Sequence, residues 1–256
     1  MSGPAALTLP LLLAAGAARG DGVRCPVEGG VVFADLCGEG IHARDSAGQP
    51  DHTEVLQAAL NASGAHTIVL RNLSSPTPWV AAPLYIDKGD RTLRFEANAF
   101  LHAKRGRDCR RAGARTCFWQ TGASMLTVRA ERNVTIEGQP GATVRMWKAD
   151  YLNRSEYQKA QWRMGIYLGR ETHDPPGSNG SATEAAFRSC RDMAVRGLRI
   201  EDSGGDGIIV NCCTNVHIAR VVSNGNLRQG LSVIGARHLL VEHSEFSNTN
   251  GTAPSA

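Results

Sequence analysis

The sequence predicts an all-β chain wound as a parallel β-helix. A strand-and-corner unit repeats along it: Gly207-Ile208-Ile209-Val210 returns 23 residues later as Gly230-Leu231-Ser232-Val233, and Asp192, Asn215 and His238 also stand 23 apart. Each unit holds short strands, such as Gly197-Leu198-Arg199-Ile200 and Arg220-Val221-Val222, separated by polar Gly/Asn corners, with no room for a helix of ordinary length. Strands joined by corners at a fixed period of about 20–50 residues mark a solenoid, and a coil of about 23 suits three sides. Composition agrees: 28 glycines in 256 residues and only 5% aromatics suit many tight corners better than a bulky helical core.

Residues 1–18 read as a signal peptide. Ala5 to Ala18 is nearly free of polar groups, and Ala15-Gly16-Ala17 offers a small-x-small cleavage site, although no Lys or Arg precedes the run. That run is too short to span a bilayer, and no other stretch could. Residues 19–50 form an irregular segment without periodicity, and residues 51–256 form the β-helix domain. Its opening, Thr53 to Asn61, is the one convincing helix, with Asp51 or Thr53 as its cap and Val55, Ala58 and Ala59 as its apolar stripe. There it would close an edge that otherwise recruits another strand. Thr67-Ile68-Val69-Leu70, Leu84-Tyr85-Ile86 and Thr92-Leu93-Arg94-Phe95 follow as short strands. In the repeats, Ile208 over Leu231 and Val210 over Val233 should stack inward, about 4.8 Å apart. The last corner, Ser247 to Pro254, precedes no strand, which predicts truncation at the C-terminus.

Two segments leave the repeat. Ala103 to Cys117 carries Lys104 and five arginines against one Asp, and reads as a basic loop. Residues 170–189 read as an excursion from the solenoid wall. A net charge of +4 permits an acidic partner without demanding one. Nucleic acid is a poor partner for a secreted chain with little aromatic interleaving.

Seven cysteines in an oxidising setting predict disulfides. Cys25 with Cys37 and Cys109 with Cys117 could each close a small loop, and Cys190 could join Cys212 or Cys213, with Cys212 taken as the partner. No CxxC pair with matching His spacing suggests zinc. Sequons at Asn61, Asn72, Asn133, Asn153, Asn179 and Asn250 are glycosylation candidates.

Gly141-Ala142-Thr143-Val144-Arg145-Met146 with Ala149-Asp150-Tyr151, Trp162-Arg163, Ser203 to Ile208, Arg228 to Ile234 and Asn248 to Pro254 together resemble right-handed parallel β-helix proteins of the pectin-lyase-like superfamily. More narrowly, they resemble the secreted right-handed β-helix domain group. The resemblance covers roughly residues 50 to 256 and is specific for fold, not reaction. Two departures stand out. Gln161 replaces the Glu that usually precedes Trp-Arg, and the chain stops before the Gly-Ile-Asp that usually follows Thr-Ala-Pro.

The resemblance implies a polysaccharide groove on the outside of one sheet. Asp206 falls beside Arg228-Gln229 one rung on, with Asp202 at the same end. One carboxylate with an arginine suits proton removal beside a uronate carboxylate, whereas two spaced carboxylates suit hydrolysis. Asp206, Arg228 and Asp202 are therefore the expected catalytic residues, and Gln229, Asp150, Trp162, Arg163 and Arg145 the expected substrate contacts. The expected activity is elimination or C5-epimerisation on acidic polysaccharide. No cofactor is required, and calcium is the one ion the resemblance allows. The rival reading is a non-catalytic glycan-binding or cell-surface solenoid, in which Asp206 only satisfies turn amides. The Gly204–Gly207 run is not a dinucleotide loop, because a strand follows it where a helix is required. Oligomeric state is not legible.

Overall fold

The computed structural model describes residues 23–45, 47–73, 78–105, 118, 123–130, 132–157, 161–169 and 187–249. Within these, the chain is a right-handed parallel β-helix with three walls. A seven-stranded sheet runs Val31–Phe33, Thr67–Leu70, Arg91–Phe95, Arg132–Gly138, Arg191–Arg196, Cys213–Ala219 and Ala236–Glu242. A six-stranded sheet runs Trp79–Ala81, Phe100–Ala103, Thr143–Arg145, Arg199–Glu201, Val222–Asn224 and Glu245–Ser247. A five-stranded sheet runs Leu84–Ile86, Leu126–Val128, Ile166–Leu168, Ile208–Val210 and Leu231–Val233. The chain visits the walls in that order once per rung, and every pairing between these strands is parallel. Within the segment expected to be irregular, Val31–Phe33 already pairs with Thr67–Val69.

Register follows the 2-residue alternation of a strand. Ile208 pairs with Leu231 and Val210 with Val233 in the expected register, but Val233, on the last strand of its wall among the described residues, is 48% exposed. Ile166, Ile208, Val144, Ile200, Val195 and Ile218 are fully buried and fill the lumen. The recurring polar residue at the entry to the seven-stranded wall also has a structural cause. Asp90, Asn133, Asp192, Asn215 and His238 all have φ between 51° and 58°, the left-handed region that Asn and Asp tolerate best among residues with a side chain. Their side chains ladder between rungs: Asn133 Nδ2 donates to Asp90 Oδ1 at 2.8 Å and Asn215 Nδ2 to Asp192 Oδ1 at 2.9 Å.

The helix Thr53–Asn61 caps the first rung. Val55, Leu56, Ala59 and Leu60 bury its apolar side. Its polar residues satisfy backbone groups that the edge strands leave open. Gln57 brackets Tyr85, its amide donating to the Tyr85 carbonyl at 2.9 Å and its oxygen accepting the Tyr85 N–H at 3.0 Å. Thr53 Oγ1 accepts the Ala82 N–H and His52 Nδ1 accepts the Val80 N–H, both at 2.9 Å. Asp51 Oδ1 accepts the Thr53 N–H at 3.1 Å in the first turn. Lys104, expected in the basic loop, is instead 6% exposed and lies 2.6 Å from Asp51 and 3.1 Å from Asp45, tying the cap to the second rung.

Cys25 pairs with Cys37 as expected. The other bridge corrects the sequence reading: Cys190 joins Cys213, and Cys212 is free. The separation of 23 puts Cys213 one rung above Cys190, at a Cα–Cα distance of 4.6 Å. Cys212, at φ 52°, sits in the corner just before the strand that Cys213 begins. Asn61, Asn72, Asn133 and Asn153 are all exposed. Residues 1–18, expected to be a signal peptide, Cys109, Cys117, Asn179, Asn250 and most of the basic loop lie outside the described residues. Among the described residues no helix is long and apolar enough to cross a membrane.

Candidate active site

The corner that follows Arg199–Glu201 collects most of the residues singled out in the sequence. Alternation sends Ile200 into the lumen and leaves Arg199 and Glu201 on the outer face, where Arg145 is the rung neighbour of Glu201. Glu201 is clamped. Arg199 donates to its Oε1 from Nε at 3.0 Å and Nη2 at 2.8 Å. Arg145 donates to its Oε2 from Nε at 3.0 Å and Nη2 at 2.5 Å. Burial alone would raise the Glu201 carboxyl. The two guanidiniums overcome that and hold it below the usual carboxylate range.

Asp202 comes next, at φ 55°, one rung from Gly225 and two from Asn248, which turn the chain the same way. Its N–H donates to the Asn224 carbonyl at 3.2 Å, and its own carbonyl accepts the Lys148 N–H at 2.8 Å. The side chain is 46% exposed, with Oδ2 lying 3.6 Å from Arg145 Nε. Partial burial pushes its carboxyl up, with Glu201 adding to that and Arg145 and Lys148 opposing it. Two neighbouring carboxyls are thus driven in opposite directions, a pattern that recurs where acid–base work is done.

Asp206 is placed differently from expectation. It is 1% exposed, and its Oδ1 accepts the Gln229 N–H at 3.1 Å while Arg228 Nε stands 3.6 Å away. Burial raises its carboxyl against the opposing Ser232 and Arg228 contacts. It is a turn carboxylate that fixes the next rung, and its burial keeps it from meeting a polymer directly. Gln229 belongs to the same turn, with its side chain bonded to Ser232. Arg163 is also corrected. Expected at a groove, it is fully buried, donates from Nε to the Phe118 carbonyl, and lies 5.0 Å and 5.5 Å from the Tyr151 and Tyr157 rings. Trp162, next to it, is 43% exposed. Asp150 is held by Arg105 at 2.8 Å, and Arg105 stacks 3.6 Å over the Trp147 ring.

Sequence reasoning missed Glu201 as the anchor of Arg145, and it missed Arg199, Lys148 and His102. Arg199 and Glu201 were readable as an i, i+2 pair on one face. His102 is the rung neighbour of Arg145. Its Nε2 is sealed without a partner. Burial lowers its pKa to about 4, with Arg145 and Arg105 adding to the effect. Among the described residues no three His, Cys, Asp or Glu side chains converge as a metal site. The corner also fits calcium poorly, since that ion takes 6–8 oxygen ligands and both Glu201 oxygens are bonded to arginine.

Fold and corner define a right-handed parallel β-helix whose outer wall carries paired carboxylates and arginines. Comparison with solved structures places it among such proteins. An iota-carrageenase complexed to iota-carrageenan fragments matches with a TM-score of 0.54 at 14% identity over 84% of this chain and 41% of that one. A galactose-4-sulfate/anhydro-galactose-2-sulfate galactohydrolase matches with a TM-score of 0.52 at 15% identity over 79% and 41%. A protein of Parabacteroides merdae, whose glycosyl hydrolase assignment is itself provisional, matches with a TM-score of 0.51 at 13% identity over 80% and 93%. The chain thus spans under half the length of the first two. At such identity the likeness establishes the fold. No family model and no curated protein sequence matches the chain.

Proposed function

We propose that the protein is a secreted enzyme that removes a proton beside the carboxylate of a uronate in an acidic polysaccharide, leading to β-elimination or C5-epimerisation. One observation carries this reading: both oxygens of Glu201 are held by Arg199 and Arg145, which leaves Asp202 as the half-exposed carboxylate next to an oriented guanidinium. Hydrolysis by two carboxyls needs both free to act on opposite sides of the bond, and Glu201 is not free. Elimination needs one base and one cation instead.

Asp202 takes the C5 proton, and its raised carboxyl makes it the stronger base. Arg145 and Lys148 offset the negative charge that builds on the uronate carboxylate. In elimination the C5–H electron pair forms the C4–C5 double bond, the C4–O4 bond breaks, and the departing oxygen is protonated. In epimerisation a proton returns to C5 from the opposite face. Two of the solved neighbours are named for iota-carrageenan and for a galactose-4-sulfate polymer, which agrees with an anionic polymer. The two disulfides among the described residues agree with an oxidising compartment.

The test offers pectate, alginate and carrageenan to the wild type and to Asp202→Asn and Arg145→Gln. Elimination appears as ultraviolet absorbance of the unsaturated product, epimerisation as exchange of the C5 proton with solvent, and hydrolysis as new reducing ends alone. Loss of turnover in Asp202→Asn is expected. Turnover that survives it, or new reducing ends without absorbance, would overturn the mechanism. Binding without any turnover would leave the glycan-binding solenoid as the function.

A further inference from the structure

The outer wall carries a second polar arrangement that the acid–base step does not use. Trp162 and Phe246 are the two exposed aromatics among the described residues, and Phe246 lies on the last strand. Trp162 sits beside the corner instead. Its neighbour Arg163 bridges Gly204, and a Cβ on Gly205 would stand 2.5 Å from the Gln161 carbonyl. Segment 161–163 therefore lies directly along the turn that Asp202 begins. Arg228 joins the same turn through its N–H, which donates to the Gly205 carbonyl at 2.9 Å. Its guanidinium lies 5.0 Å from the centre of the Trp162 ring and remains 18% exposed. Behind it stands Asp206, 1% exposed, approached through Arg228 Nε at 3.6 Å.

We infer that Trp162 and Arg228 form a sugar-binding subsite beside Asp202 that takes a ring bearing an anionic group, with Asp206 as the positioning residue that holds Arg228 there. This rests on the proposed reading for its polymer, but not for its chemistry. An exposed indole offers a flat apolar face to a sugar ring. A guanidinium presents N–H donors in a fork that matches a planar or tetrahedral oxyanion. The Asp206 contact engages Nε, so the terminal nitrogens are the ones a ligand meets. A buried carboxylate behind a half-buried arginine limits its rotamers, which lowers the ordering cost of binding. Carboxylate and sulfate both satisfy this chemistry.

Binding is measured by calorimetry with polygalacturonate and alginate as uronate probes, iota-carrageenan as the sulfate probe and dextran as the neutral one. Trp162→Ala should weaken anionic polymers at least tenfold. Arg228→Gln should do the same, with Arg228→Lys recovering part of the loss. Asp206→Asn should raise KM severalfold while kcat stays within twofold, a split that general loosening would not produce. If Asp206→Asn does not fold, the Arg228→Lys and Arg228→Gln pair still decides the site. Tighter binding of uronans than carrageenan identifies the anion as carboxylate, and the reverse order as sulfate. Dextran binding as tightly as the anionic polymers, or unchanged affinity in Trp162→Ala and Arg228→Gln, overturns the subsite even where turnover persists. Affinity that depends on both residues without any turnover supports the subsite and counts against the enzymatic reading alone.

Discussion

Replacing Glu201 with Gln should cost stability and shift the acid limb of activity to lower pH. The Glu201 side chain is 9% exposed, whereas Arg145 and Arg199 are 41% and 44% exposed. Removing one partner of a buried pair costs about 3–5 kcal/mol, and of an exposed pair about 0–1. The two half-exposed guanidiniums can turn to water, so the cost here should be about 2 kcal/mol. The sign with pH follows from the lowered folded pKa of Glu201. Its stabilisation is complete above the unfolded value of about 4.3 and is lost as pH falls through the lower folded value. Urea midpoints of wild type and Glu201→Gln should therefore differ at neutral pH and converge once pH falls below the lowered folded value. Freed from Glu201, Arg145 should turn toward Asp202, lower its pKa and move the acid limb of the pH–rate profile downward. Equal midpoints at neutral pH, or a gap that persists in acid, would refute the clamp.

Cys190→Ser opens a loop of 23 residues and should lose about 3 kcal/mol, whereas Cys212→Ser should stay within about 0.5; thermal or urea unfolding of the pair checks this, and the opposite order would restore Cys212 as the partner. His102 is held neutral by burial and the nearby Arg145 and Arg105, with its pKa lowered to about 4. Its contribution is complete above about 6.5 and falls as acid protonates it, so His102→Asn should flatten the wild-type loss of urea midpoint on acidification, and parallel curves would count against it. A methyl on Gly207 would overlap Ser223 Oγ and approach the Gly230 carbonyl to 2.7 Å and Asn226 Nδ2 to 2.8 Å. Gly207→Ala should therefore destabilise by about 3 kcal/mol in urea titration, and a neutral result would mean the turn yields.

The solenoid was legible because its cause is local and periodic. Each rung must place an apolar residue inward, so Ile208 and Leu231, or Val210 and Val233, recur at one spacing. Each corner needs a left-handed residue, so Asp192, Asn215 and His238 recur at the same spacing. The same arithmetic selects Cys213 over Cys212 as the partner of Cys190, because a bridge between rungs joins equivalent positions. The error came from treating adjacent cysteines as interchangeable when one turns a corner and the other begins a strand. The helix cap was legible from its apolar stripe, but its role in satisfying Tyr85, Ala82 and Val80 was not, since those bonds cross 28 or 29 residues without a pattern.

The candidate site was harder to read for the opposite reason. Arg145 and Glu201 are rung neighbours separated by 56 residues, because residues 146–198 hold more chain than a regular coil. Period therefore linked Asp206 to Arg228-Gln229, where the solenoid is regular, and that link proved to be a turn contact. The break in period is where Trp147, Lys148, Asp150 and Trp162 enter the neighbourhood of Asp202. A regular rung repeats the same outer residues and can present only ladders of like groups. An interrupted rung brings unlike groups together: a clamped carboxylate, a half-exposed one, two arginines and an exposed indole. Residues that satisfy the repeat are explained by the fold, so chemistry is best sought among those that the repeat cannot place.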